Sequence, residues 1–287
     1  MKTLGYYNGT IGEIDEVMVP MSDRACYFGD GVYDASYSVN SVIFALEDHI
    51  SRFYNSAGLV EIRIPMARAE LRELLLDLVK KVDCKTGVIV YWQASRGTAP
   101  RSHVFPEGPS NLWVMIRELE FINNFVPFKV ITLEDTRFLH CHIKTLNLLP
   151  SVIASEKAKR SGCDEVVFHR NGRVTECAHS NVHIIQNGIF RTSPTDNLIL
   201  PGIARGRLAK LALDLGIPVD YSPFTLGDLF AAEEVIITSS GALCVPVDAV
   251  DARPVGGKAP ELLNKLRLAA IEEFEAETGS RLPRSAA

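Results

Sequence analysis

Val167–Ile185, VFHRNGRVTECAHSNVHII, holds the turn that decides the architecture. Asn171-Gly172 suits the two left-handed positions of a tight hairpin turn, and the runs on either side read as the strands it joins. Gln186-Asn187-Gly188 repeats the signal and links Asn181–Ile185 to Ile189–Thr192. Strands joined this closely pair antiparallel, because a parallel pair needs a crossover of a dozen or more residues. The spacing therefore predicts antiparallel or mixed sheets and an α+β fold, not a doubly wound one.

Working outward, Glu165–His169 and Val174–Glu176 are the arms of the first hairpin, with strands expected before it at Phe128–Leu133 and Phe138–Ile143 and after it at Glu234–Thr238. Helices are expected at Leu149–Ser161, from about Pro201, and at Ala259–Thr278, and the tail Arg281–Ala287 reads as disordered. Towards the N-terminus, Glu118–Pro127 (ELEFINNFVP) loses all periodicity and is punctuated by Asn-Asn and Pro. This places a smaller domain at 1–118, a connection at 119–127 and a larger domain at 128–287. In the first domain one helix covers Leu46–Leu59 and a second Pro65–Val82, where Leu71, Leu74, Leu75, Leu78, Val79 and Val82 form one apolar face for the core. Gly87–Ser95 and Leu112–Arg117 read as strands separated by the Gly/Pro-rich loop Arg96–Ser110 (RGTAPRSHVFPEGPS). A loop that long between paired strands tends to carry function.

The 287 residues are 47% apolar with a formal net charge of −5, enough for a large buried core. Basic residues are scattered among acidic ones, which gives nucleic acid or an anionic membrane no electrostatic footprint. With no leader-like N-terminal run and no long uncharged stretch, a cytoplasmic protein is expected. Its six isolated cysteines read as reduced, small core residues, with neither disulfide nor metal-finger spacing.

Three segments could carry chemistry. In Phe138–Pro150 (FLHCHIKTLNLLP), strand alternation would put His140, His142 and Lys144 on one face, with the lysine at the strand's mouth among apolar neighbours. Such surroundings disfavour the ammonium, as a Schiff-base lysine requires. A plain surface lysine is the competing reading, and the two histidines lack a third ligand for a metal. Glu176 lies inside a half-apolar strand, where an acidic group needs a cationic partner. That partner is either Arg170 or Arg173 in a surface pair, or the protonated ring nitrogen of a pyridine cofactor. In Leu198–Arg207 (LILPGIARGR), Pro-Gly precedes a helix whose first amides, at Ile203 and Ala204, are free to bind phosphate, although Pro also starts ordinary helices. The Thr238-Ser239-Ser240-Gly241 run offers further donors or a plain turn, and Arg52 offers either the full positive charge or a solvated helix residue.

In this order the segments resemble the fold-type IV pyridoxal-phosphate enzymes, the family of branched-chain aminotransferases, D-amino acid aminotransferases and aminodeoxychorismate lyases. The resemblance covers nearly the whole chain through FGDGVY (Phe28–Tyr33), HISRFY (His49–Tyr54), HIKTLNLL (His142–Leu149), Glu165–Asn181 and LPGIAR (Leu200–Arg205). It implies a smaller N-terminal α/β domain, a larger C-terminal mixed-sheet, barrel-like domain, a homodimer and pyridoxal 5'-phosphate as cofactor. By the same resemblance Lys144 forms the Schiff base and Glu176 faces the pyridine nitrogen. Leu200 opens the cofactor-binding turn, and Arg52, the Ile203 and Ala204 amides and Ser240 take the phosphate. The loop Arg96–Pro106 resembles the segment that in D-amino acid aminotransferases traps the substrate carboxylate, which implies Arg101 and His103, with Tyr33 beside them. Two residues apart, both side chains can face the same way, and a guanidinium binds carboxylate through paired bonds worth roughly 1.5–3 kcal/mol each. The reaction implied is ping-pong transamination of D-amino acids with 2-oxoglutarate or pyruvate. A branched-chain L-amino acid aminotransferase, which would leave Arg101 and His103 without a role, and an aminodeoxychorismate lyase are the alternatives. Two departures stand out: Ala204 where many relatives have threonine, and His179 where a small hydroxyl residue is common in the D-specific enzymes.

Overall fold

The structure, a computed structural model, describes residues 1–84 and 86–286, and these divide into two compact units. The first comprises Met1–Phe121, Ile143–Asn147 and Glu277–Ser280, and the second Ile122–His142, Leu148–Ala276 and Arg281–Ala287, of which Ala287 lies outside the described residues. The chain thus changes units inside the 119–127 stretch, while the segment bearing Lys144 groups with the first unit and not with the residues around it in sequence.

The first unit is built on a sheet of β1 (Leu4–Tyr7), β2 (Thr10–Gly12), β3 (Gly31–Val39), β4 (Val42–Ile43), β5 (Val88–Ser95) and β6 (Asn111–Glu118). The order is β2-β1-β6-β5-β3-β4, antiparallel throughout. One face is covered by α2 (Leu46–Leu59) and α3 (Arg68–Val79), while the short α1 (Arg24–Phe28) precedes β3. α2 matches its expected span; α3 is shorter than 65–82 at both ends. Its stripe still packs as expected, with Leu71, Leu75, Leu78 and Val79 buried against Ile50, Phe53, Val90 and Trp92. Each such side chain stabilises the fold by about 1.5–3 kcal/mol relative to exposure.

The second unit holds a nine-stranded mixed sheet: β7 (Phe128–Glu134), β8 (Glu165–Arg170), β9 (Arg173–Cys177), β10 (Asn181–Gln186), β11 (Ile189–Thr192), β12 (Val219–Asp220), β13 (Glu234–Ser239), β14 (Ala242–Val250) and β15 (Arg253–Pro254). The β8–β9 and β10–β11 hairpins turn at Asn171-Gly172 and Asn187-Gly188, all four residues at positive φ as the sequence predicts. β7 lies parallel to both β8 and β14, so the fold is α+β with a mixed sheet. α4 (Leu149–Arg160) packs Ala154 and Ala158 on Val166 and Phe168, and α5 (Ile203–Asp214), α6 (Leu226–Ala231) and α7 (Pro260–Thr278) complete the unit.

Three expectations fail. Phe138–Ile143 forms no strand: its backbone turns irregularly and bonds elsewhere, Cys141 N–H donating to the Asn197 carbonyl at 2.9 Å. Residues 281–286 of the tail are tied down, with Leu282 N–H, Arg281 and Arg284 all donating to the buried Glu275 carboxylate. Cys141, Cys177 and Cys244 are buried, but Cys26 is exposed and Cys84 and Cys163 half-buried, so only three of the six cysteines are core residues. Among the described residues no helix is long and apolar enough to cross a membrane.

Candidate functional site

Because β4 is only two residues long and pairs at the Ser38–Val39 end of β3, the Gly31–Tyr33 end of that edge is left for another segment. Ile143–Asn147 fills it. Tyr33 N–H donates to the Lys144 carbonyl at 2.9 Å, Leu146 N–H to the Gly31 carbonyl at 3.1 Å, and Val32 bridges Thr145. A Cβ on Gly31 would lie 2.6 Å from the Ala94 carbonyl oxygen and 2.7 Å from Leu146 Cδ1, so this close approach requires glycine. Lys144 N–H donates to Ser56 Oγ on α2 at 3.2 Å, which fixes the residue's backbone from a second side. The half-buried side chain carries Nζ to 4.2 Å from the centroid of the Tyr33 ring, itself stacked 5.3 Å from Tyr91. Burial pushes the Tyr91 hydroxyl far above its ordinary value. Lys144 is therefore neither on a strand face in line with His140 and His142 nor an ordinary surface lysine.

α2 is buried on a polar stripe as well as an apolar one. Leu46, Ile50, Phe53 and Ala57 face the core, and beside them His49, Arg52 and Ser56 are also buried. Arg52 is not a solvated helix residue. It grips the fully buried Asp34 of β3 with two bonds, Nε to Oδ2 at 2.9 Å and Nη2 to Oδ1 at 2.7 Å, while His49 Nδ1 lies 2.7 Å from Oδ1. Burial alone would raise the Asp34 carboxyl, but the Arg52 and His49 charges hold it well below the usual carboxylate range. Burial pushes His49 down from its ordinary value despite the neighbouring carboxylate. Asp34 and His49 were not picked out from the sequence.

Arg101 and His103 lie at the exposed tip of the β5–β6 loop, and the structure brings them together on one ring. The Arg101 guanidinium stands 5.0 Å from the Phe28 centroid and the His103 ring 5.1 Å from it. No contact joins Tyr33 to either among the described residues; Tyr33 faces Lys144 instead. Beside the loop a cavity of about 290 Å³ is lined by Arg24, Phe28, Asp30, Arg96, His103 and Asn147, among others.

In the second unit, Glu176 on β9 is 4% exposed and does not pair with Arg170 or Arg173, which reach Asp135 and Asp196. Its partner is Arg137, whose Nη1 donates to Oε1 at 2.6 Å. Asn181 Nδ2 and Leu200 N–H both donate to Oε2 at 3.0 Å. Arg137 also bonds both oxygens of Asp135 at 2.9 Å. Burial would weaken the guanidinium, but Asp135 and Glu176 outweigh it and push its pKa above the ordinary value. Asp135, where burial opposes and Arg137 dominates, sits below the ordinary carboxylate value. Arg137 was missed; its signal was an Asp-x-Arg immediately after a strand.

Leu200 lies just before α5, and Ile203 and Ala204 form the first turn of that helix. The Leu200 carbonyl accepts from Asn181 Nδ2 at 3.1 Å and from Gly202 N–H at 2.8 Å, and α5 starts at Ile203 with Gly202 as its cap. A Cβ on Gly202 would collide with the Asn181 side-chain oxygen, so glycine leaves room for the Asn181 amide to reach the Leu200 carbonyl. The first-turn amides of Ile203 and Ala204 have no acceptor within the helix. Ser240 follows β13 directly, whereas the Thr238 hydroxyl lies 2.9 Å from His183 Nε2 inside the core. His179 is exposed, with Nδ1 3.2 Å from Glu165 Oε2.

Residues 31–250 match the family Amino-transferase class IV. The chain is 39% identical over 274 residues to the D-alanine aminotransferase of Listeria monocytogenes serotype 4b (strain F2365), covering 93% of this chain and 94% of that one. With the D-alanine aminotransferase of Bacillus licheniformis it shares 35% identity over 270 residues, 92% and 94% of the two chains. Among solved structures, the branched-chain aminotransferase from the thermophilic archaeon Thermoproteus uzoniensis with norvaline aligns with a TM-score of 0.84 at 21% identity, over 96% of this chain and 96% of that one. The branched-chain amino acid aminotransferase from Escherichia coli aligns at 0.85 with 23% identity over 97% and 96%, and the two structures together speak for the fold. By a match across most of its length and by relatives well above a third identical, the chain belongs to the class IV aminotransferases.

Proposed function

We propose that this aminotransferase transfers the amino group of D-amino acids to 2-oxoglutarate or pyruvate, with pyridoxal 5'-phosphate held covalently by Lys144. The observation that carries the reading is Lys144 itself: a half-buried amine with its backbone fixed by β3 and α2 and no carboxylate paired to its Nζ among the described residues. An amine so placed is available as a nucleophile and then as a base.

The donor set fits the cofactor. Glu176, charge-paired with Arg137, is the buried carboxylate suited to a protonated ring nitrogen, and the Ile203 and Ala204 amides with Ser240 and Arg52 suit a phosphate. With Ala204 supplying no hydroxyl, more of the phosphate affinity falls on Arg52 and Ser240. When bound, the cofactor supplies an electron sink for the substrate Cα and stores the amino group between half-reactions. With the cofactor and substrate bound, Lys144 Nζ would be the base that removes the Cα proton and later returns a proton. Arg137 holds the Glu176 carboxylate in place while Asn181 and Leu200 N–H orient its other oxygen. Arg101 and His103 bind the substrate carboxylate and so decide which face of Cα meets the lysine; the D preference follows from them and is supported by the D-alanine aminotransferase relatives.

A homodimer is part of the proposal. It is supported by the exposed apolar run on α4, Leu149, Val152 and Ile153.

Protein reconstituted with pyridoxal phosphate is expected to turn over D-alanine with 2-oxoglutarate and not L-leucine, and Lys144→Ala to fall to background. Turnover of L-leucine alone would replace the D assignment, and an active Lys144→Ala protein would end the lysine's role.

A further inference from the structure

Arg101 and His103 sit on an exposed loop, where long side chains keep most of their rotamer freedom. A pair of loop side chains that binds a carboxylate tightly has to be held in place before substrate arrives. The holding element is α1. Its last residue, Phe28, is half-buried and is not part of the apolar core cluster of the first unit. The neighbours of its ring are instead the Arg101 guanidinium at 5.0 Å, the His103 ring at 5.1 Å tilted by 47°, the Arg24 guanidinium at 4.8 Å and Tyr27 at 4.9 Å. The platform is charged on two sides and aromatic on the others.

Arg24 fixes the backbone of the same tip. Only 3% exposed, it donates from Nη1 to the carbonyl of Ser102, the residue between Arg101 and His103, at 2.6 Å, and from Nε to Asp30 at 2.7 Å. Asp30 is held in turn by Arg96 Nε at 3.0 Å, and the Tyr27 hydroxyl donates to the Ala99 carbonyl. α1 is itself pinned: Asp23 caps its first turn through the Ala25 N–H at 2.9 Å, and Gly29 ends it at φ 61° against Asn147. The ring thus sets the height of both side chains, and the guanidinium sets the carbonyl between them.

We propose that Phe28 and Arg24 are positioning residues for carboxylate recognition, acting through Arg101, Ser102 and His103 without touching substrate. The inference rests on the reading that Arg101 and His103 bind the substrate carboxylate. Cation–ring contacts at partly exposed sites are modest, so Phe28→Leu is expected to raise KM for both D-alanine and 2-oxoglutarate by about five- to tenfold, with kcat at saturation within about twofold. Phe28→Tyr, which keeps the ring, restores KM. Arg24→Lys keeps the charge but cannot span Asp30 and the Ser102 carbonyl with one planar fork, so it behaves like Phe28→Leu. The readout that a merely structural role would not move is the half-reaction with 2-aminobutane, an amine without a carboxylate, followed by the cofactor absorbance. Its apparent affinity is unchanged in all three variants.

Arg101→Ala is run alongside. If it raises KM for the carboxylate substrates and Phe28→Leu and Arg24→Lys do not, the positioning role is overturned while the carboxylate reading stands. An equal loss with 2-aminobutane in Phe28→Leu or Arg24→Lys also overturns it, because the platform would then be supporting the fold in general. If Arg101→Ala itself leaves KM for D-alanine unchanged, the carboxylate reading falls and takes this inference with it.

Discussion

Asp34→Asn tests the electrostatic account of the first unit most directly. The carboxylate is fully buried, and its Oδ1 receives Arg52 Nη2 at 2.7 Å, His49 Nδ1 at 2.7 Å and Ala35 N–H at 2.8 Å, while Oδ2 receives Arg52 Nε at 2.9 Å. An amide in its place turns an NH₂ group towards the Arg52 Nε–H and leaves a guanidinium buried without its counter-charge. Removing one partner of a buried pair costs about 3–5 kcal/mol. At about 2–4 °C per kcal/mol for a domain of this general size, the melting temperature should fall by roughly 6–20 °C. Both tryptophans, Trp92 and Trp113, lie in β5 and β6, so their fluorescence during urea unfolding reports on this unit. The acid limb supplies a second measurement. Because the folded Asp34 carboxyl is depressed, the stability it adds is complete above the unfolded value of about 3.9 and drains away as pH falls below it. The wild-type protein should therefore lose more stability than Asp34→Asn between about pH 5 and pH 2. A loss smaller than about 1 kcal/mol at pH 7, or acid limbs of equal slope, would refute the claim that Asp34 is held by Arg52 and His49.

Arg137→Met should destabilise the second unit by about 3–5 kcal/mol, since it removes the guanidinium that Asp135 and Glu176 share; urea unfolding followed by circular dichroism checks this, and an unchanged midpoint would count against it. Sedimentation equilibrium should give twice the 31.6 kDa chain mass, and Leu149→Glu/Ile153→Glu should shift it towards one chain; a monomeric wild type would remove the dimer from the proposal.

What could be read from the residues was what local chemistry dictates. The Asn-Gly turns at 171–172 and 187–188, the span of α2 and the apolar stripe of α3 each follow from backbone sterics or a helical period. β14 was not foreseen, because Pro246 interrupts the run ALCVPVDAV and the strand tolerates it only with shifted registers towards both β13 and β7. Phe138–Ile143 alternates like a strand, but no neighbouring edge pairs with it. The site divides the same way. Lys144, Glu176 and the start of α5 were legible as isolated oddities, a lysine among leucines, an acid in a strand and a Pro-Gly before a helix. Their partners were not, since Arg137 meets Glu176, and Asp34 meets Arg52, only after the chain has folded. In GVYDASYSV the rule of two even points the wrong way: it sends Asp34, Ser36 and Ser38 to solvent, whereas the structure buries all three, Asp34 against Arg52 and His49 of α2 and Ser36 against the Phe44 carbonyl.

The first unit borrows two distant strips of chain. Ile143–Asn147 completes the β3 edge, and Glu277–Ser280 supplies Glu277 Oε1 to Ala45 N–H at 2.7 Å and the Thr278 carbonyl to Asn40 at 3.1 Å. A fragment ending at residue 121 would expose the amide of Tyr33 as an open strand edge, a template for aggregation. On the ribosome, the bonds from Ala45 and Asn40 of the N-terminal unit cannot form until residues 277 and 278 have been made. For this chain, synthesis from one end does not mean maturation from that end.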